Sequence, residues 1–204
     1  ALERRTEGWI VGLQLSALSL HGHTNPAAFV DQFTGSHSYI IDYLVEEVLQ
    51  RQDPAAQQFL LQTSLLGRLC GPLCDAVTAR TDSQAQLEQL QRANLFLIPL
   101  DEQRQWYRYH HLFAEVLQQW LRQQAPALIP QLHRRACHWY ETQGLLADAI
   151  HHALAADDLA HAADLVELTA DQLRKHGEFV TLNALLDRLP DAMVAARPHL
   201  ALAR

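Results

Sequence analysis

Lysine is almost missing from this chain: of 204 residues only Lys175 carries an ε-ammonium. No glycine-rich loop precedes it, so the chain has no phosphate cradle of the kind with which P-loop proteins bind and hydrolyse ATP. Clusters of positive charge are missing too. Sixteen Lys and Arg stand against 23 Asp and Glu, for a net charge of −7, and the basic residues are scattered. A phosphate backbone would find no electrostatic footprint, and nucleic acid is not an expected partner. Three cysteines, Cys70, Cys74 and Cys137, give an odd number with no disulfide framework. Neither a signal peptide nor a membrane-length apolar run is present. These absences predict a cytoplasmic, soluble protein with reduced thiols and no membrane partner.

What is present is a dense apolar pattern, 49% of the chain, enough for one core and more naturally two at ~100–150 residues per domain. The first stretch is helical. Gly8 breaks one helix before GWIVGLQLSALSL begins another, too apolar for a surface position, and Pro26 opens the short helix PAAFVDQF. SYIIDYLVEEVLQR then repeats apolar residues at helical spacing. Asp53–Pro54 is a helix start, with a capping carboxylate followed by a proline whose φ is already helical. A second start falls at Gly71–Pro72, and Asp82 or Ser83 is the expected cap of SQAQLEQLQRAN, which ends at Asn94. LFLIPL and QWYRY, on either side of the polar turn DEQR, predict a β-hairpin.

The focus of the pattern is WYRYHHLFAEVLQQWL, residues 106–121. An aromatic strand hands over at His110 to an amphipathic helix carrying Leu112, Phe113, Val116, Leu117 and Trp120. A helix N-terminus there suits an anion, because its first N–H groups lack partners and the helix dipole is positive. The plainer alternative is a capping His110 beside a solvent-facing His111. Three helices, a hairpin and another helix are the element order of a winged helix. Its DNA-binding version needs basic or amide side chains on the third helix; residues 83–93 hold one Glu, one Arg and four glutamines that could contact bases but lack a cationic surround, so no direct DNA binding is expected.

From Ala125 the character changes to alanine-rich helices after the proline-bracketed PALIP. Gly144 and Gly177 are 33 residues apart, close to the ~34-residue period of tetratricopeptide-type (TPR-like) helix pairs, with Ala149, Ala153 and Ala163 suited to close helix contact and Trp139, Tyr140, Leu154 and Leu165 supplying bulk. No catalytic set stands out. His133 and His138 are five apart, His151 and His152 diverge on one helix, and Cys70 and Cys74 lack further ligands beside them, so solvated or capping histidines and inert thiols are the expectation, without a metal site. Glu46 and Glu47 are adjacent and diverge on a helix rather than forming an acid–base pair.

The runs TEGWIVGLQLSALSL, SHSYIIDYLVEEVL, FLLQTSLLGRLCGPLCDAVT, WYRYHHLFAEVL and LHRRACHWYETQGLLADAIHHAL together resemble the MalT-like, large ATP-binding regulators of the LuxR family, signal-transduction NTPases with numerous domains. The likeness extends over essentially the whole chain. It implies a mainly α central fragment: a helical domain over 1–50 following an absent nucleotide-binding domain, a winged-helix domain over 51–124, and the start of a TPR-like superhelical sensor over 125–204. The apolar run PHLALAR at the end, a helix just starting, fits such an excised piece. It also implies that His110 of Tyr109-His110-His111 stands where the family's Met-His-Asp histidine contacts the β-phosphate of ADP, with His111 replacing the acidic residue. Gly8, Trp9 and Ile10 occupy the adenine-lining Gly-x-Pro motif, with Ile in place of Pro. ADP or ATP with Mg would belong to the parent protein, the fragment itself holding no cofactor and having no enzyme activity. Its expected partners are the adjacent nucleotide-binding domain and an inducer or regulatory protein. Two functions stay open: a relay module of an ATP-dependent transcription activator, and a stand-alone TPR-like scaffold that binds other proteins.

Overall fold

The computed structural model describes residues 43–175 and 177–201. Gly8, Trp9 and Ile10 lie outside the described residues. The chain divides into two compact units, with the boundary at Pro126–Ala127.

In the first unit, π-helical turns over Tyr43–Leu49 bury Leu44, Val45, Val48 and Leu49. Helix α1 (Pro54–Thr63) starts where the sequence places it: the Asp53 carboxylate accepts from Ala56 N–H at 2.9 Å and Pro54 occupies the first turn. It ends at Thr63, short of the apolar Leu65 and Leu66. Helix α2 (Gly71–Thr78) buries Leu73, Cys74 and Val77, and packs so closely on α3 (Ser83–Arg92) that a Cβ at Gly71 would come within 2.9 Å of Gln84 Cβ. The start of α3 corrects the expected cap. Asp82 makes no side-chain cap bond and instead accepts from Arg80 Nε and Nη2, each at 2.8 Å, while the Ser83 N–H donates to Asp75 Oδ1 on α2 at 3.0 Å. The acceptor arrives from the previous helix because the tight α2–α3 turn folds Asp75 back over it.

Strands β1 (Leu97–Pro99) and β2 (Tyr107–Tyr109) form the predicted antiparallel hairpin, with Leu97 opposite Tyr109 and Pro99 opposite Tyr107. Asp101 closes the turn by accepting from the Gln105 and Trp106 N–H groups. Leu69, in the α1–α2 connection, adds a further rung, exchanging two backbone hydrogen bonds with Tyr107 at 2.7 and 2.8 Å. Helix α4 (His111–Gln124) buries Leu112, Phe113, Val116, Leu117 and Leu121, the i, i+1, i+4, i+5 face that an amphipathic helix turns toward a core. At roughly 1.5–3 kcal/mol per fully buried large apolar side chain, this face is the main attachment of α4.

The second unit is helical throughout its described residues: α5 (Ile129–Thr142), α6 (Leu146–Ala155), α7 (Leu159–Lys175), α8 (Phe179–Leu186), α9 (Asp191–Ala195) and α10 (Pro198–Ala201). Gly144 and Gly177 have φ of +70° and +74°, the left-handed conformation that ends a helix and that glycine adopts without a Cβ penalty. Each thus separates two helices by a tight turn. Ala149, Ala153, Ala162 and Ala163 are fully buried, letting α5, α6 and α7 approach closely. Trp139 and Leu154, expected as core bulk, are only half-buried, and Tyr140 carries that role at 1% exposure.

Candidate functional site

The β2–α4 junction is built from Tyr109 outward. Thr63 donates its single hydroxyl proton to the Phe59 carbonyl at 2.7 Å, so the Tyr109 hydroxyl, 2.7 Å from Thr63 Oγ1, must be the donor to it. Burial pushes the Tyr109 phenol far above its usual range, which keeps that proton in place. Tyr109 also meets the Phe113 ring edge-on at 5.9 Å. The last strand residue is therefore locked to α1 and α4 together.

His110 follows directly. Its N–H donates to the Phe96 carbonyl at 2.7 Å and its own carbonyl accepts from Ala114, so it occupies the N-cap position of α4 by backbone, without a side-chain cap bond. The ring stacks on His111 at 4.8 Å and 19° and meets the edge of Phe96 at 6.1 Å. His110 is buried, 5% exposed, whereas His111 is only half-buried. The accessible imidazole of the pair is thus that of His111. The Arg108 guanidinium reaches the same junction, 3.4 Å from the Tyr109 carbonyl. A stacked imidazole pair, a guanidinium and a helix N-terminus make the junction favourable for an anion.

The winged-helix position of α3 has a different character. Its single arginine, Arg92, pairs with Glu88 at 3.2 Å, and Gln84 is turned to the same carboxylate. Both cysteines of the first unit are buried in the α2 region, with burial raising each thiol above its ordinary value.

The expectation of solvated or capping histidines holds for His138 and His151, which are exposed, and is corrected for the other two of the four. His133 and His152 are 8% and 3% exposed and face each other across α5 and α6, Nδ1 to Nδ1 at 2.8 Å, with the Tyr140 ring stacked on His152 at 5.4 Å. Nineteen residues separate them, so inspection of i, i+3 and i, i+4 spacing could not pair them. For the same reason the proximity of Cys137, Glu141 and His161, whose ligand atoms lie within 4.8 Å of one another, was not visible in single-helix spacing. The i, i+4 relation of Cys137 and Glu141 was the signal available.

Three helices, a two-stranded wing and a fourth helix define a winged-helix domain, followed here by close-packed helical hairpins. Residues 45–129 match the MalT winged helix domain family. Over 203 residues the chain is 37% identical to the serine/threonine-protein kinase PknK of Mycobacterium tuberculosis, a match covering 100% of this chain and 18% of that protein. Over 197 residues it is 36% identical to the HTH-type transcriptional regulator MalT of Klebsiella pneumoniae and to that of Cronobacter sakazakii, covering 96% of this chain and 22% of each. The chain thus spans about a fifth of the length of the curated relatives it matches. Residues 45–129 thus carry a MalT-type winged helix domain, a type of domain that is not catalytic, and the chain is similar along its length to one segment of these larger proteins. Among the described residues no helix is long and apolar enough to cross a membrane.

Proposed function

We propose that this chain is the signal-relay segment of a cytoplasmic, ATP-dependent regulator, in which the winged helix reads the state of a neighbouring nucleotide-binding domain and passes it to a TPR-like helical sensor. The observation that carries this reading is the β2–α4 junction, where His110 and His111 stack beside Arg108 at a helix start. A switch needs an element that contacts one nucleotide state better than the other, and a charge-sensitive junction tied rigidly to a core is such an element. The half-exposed His111 presents the first ring a phosphate meets, and His110 is the ring behind it. Relatives with different outputs, a kinase and a transcriptional regulator, share this segment, which favours a role upstream of either output. Glu88 neutralises Arg92 on α3, and this favours a domain-docking winged helix over a DNA-reading one.

The test uses the full-length parent protein. His111→Ala and His110→Ala should each weaken ADP retention measured by calorimetry and raise activity in the absence of inducer. Unchanged ADP affinity in both variants would overturn the assignment. A gel shift at low salt with the 204-residue chain should show no retarded duplex, and a salt-sensitive shift would favour DNA binding instead.

A further inference from the structure

A second group of side chains converges between α5 and α7. Cys137 and Glu141 are one turn apart on α5, on the same face. His161, in the first turn of α7, faces them, and its Nε2 lies 3.2 Å from Glu141 Oε2. Its own backbone is held, since the His161 N–H donates to Asp158 Oδ1 at 3.2 Å in a helix-capping arrangement. The sulfur, carboxylate oxygen and ring nitrogen lie within 4.8 Å of one another. A tetrahedral ion with bonds of ~2.0–2.3 Å sets its ligands roughly 3.3–3.6 Å apart, so closure needs only a rotamer-scale movement. A cavity of about 250 Å³ opens onto the three, with Arg134, His138 and Asp158 also on its wall.

The chemistry of the donors selects the ion. Thiolate, imidazole and carboxylate together suit zinc, while hard-cation sites use oxygen alone. Cys137 is 3% exposed, one turn from Glu141, and Asp158 lines the same cavity, so two carboxylates gather near its sulfur. Negative charge gathered around a thiol disfavours a bare thiolate and favours a cation that would neutralise it.

We propose that Cys137, Glu141 and His161 form a zinc site, with the fourth position open to water in the cavity. Zinc binds sulfur as the Cys137 S–H proton leaves to solvent, with no change of oxidation state, and Glu141 and the neutral His161 exchange their mutual hydrogen bond for bonds to the metal, the imidazole keeping its proton on Nδ1. The ion ties α5 to α7, the first helices of successive hairpins. This assignment is independent of the nucleotide reading, because it rests on the second unit alone.

The test is a zinc titration of the chelator-treated 204-residue chain against a chromophoric chelator, with cobalt(II) as the spectroscopic probe. One equivalent should bind tightly, release about one proton at neutral pH, and give a sulfur-to-cobalt charge-transfer band. Cys137→Ser should abolish that band, and the Cys70→Ser/Cys74→Ser double variant should keep it. His161→Gln, at a half-exposed position where folding is not at stake, should weaken zinc by at least ~10-fold. Absence of stoichiometric binding, a band that survives in Cys137→Ser, or unchanged affinity in His161→Gln would overturn the site.

Discussion

The Nδ1 atoms of His133 and His152 lie 2.8 Å apart across the α5–α6 contact, a distance that requires one proton between them. One ring donates through Nδ1 and the other accepts; a doubly charged pair would set two donors face to face.

That relationship makes the second unit acid-sensitive. Burial is the main cause that lowers His133 to about 4 and His152 to about 3, with neighbouring histidines adding repulsion. In the unfolded chain both return to the ordinary value near ~6.5. Between those values the unfolded state binds more protons, so stability is complete above pH ~6.5 and falls as pH drops toward 4. Urea unfolding midpoints at pH 7.5, 6 and 5 should decline in that order. His152→Asn, which keeps a hydrogen-bonding atom near the Nδ1 position but does not titrate, should decline less steeply; an identical slope would refute the role of the pair.

Tyr109 and Thr63 should respond unequally to truncation. Tyr109→Phe removes a donor while Thr63 keeps its bond to Phe59, so the loss is about 1 kcal/mol. Thr63→Val leaves the buried Tyr109 hydroxyl without its acceptor, and the loss should reach ~1–3 kcal/mol. Chemical denaturation of the two variants checks the order, and equal effects would contradict the assigned direction of the hydrogen bond.

The two aspartates near α3 should also separate. Asp75→Ala removes the acceptor of the Ser83 N–H and should destabilise by about 1 kcal/mol, the usual loss of a helix cap. Asp82→Ala touches only an exposed pair with Arg80 and should leave the unfolding midpoint close to that of the parent chain. A larger effect at Asp82 would restore the cap that the sequence suggested.

Local signals account for what was legible beforehand. Asp53–Pro54 announced α1, Gly71–Pro72 announced α2, and Leu112, Phe113, Val116 and Leu117 displayed most of the buried face of α4, where Leu121 takes the place expected of the half-buried Trp120, because caps and apolar periodicity act within one or two turns. The hairpin was legible for the same reason. What escaped depends on contacts between elements: Asp75 reaching Ser83 over a turn, His133 meeting His152, and His161 arriving beside Cys137 and Glu141. The junction at His110 lies between these cases. Its place before α4 could be read from residue types, whereas the burial of its ring beneath His111 and Phe96 depends on a loop whose path the sequence does not announce.

That loop turns at Asn94 and Phe96, with φ of +54° and +55°. Asparagine tolerates the left-handed region, but an aromatic residue there is held above its conformational minimum, and the Phe96 carbonyl is the acceptor for His110. A backbone bent against its own preference is thus held beside the imidazole by the packing of Phe96 on His110 and Phe113 and by the His110 N–H, so the folded wing carries the cost of that bend.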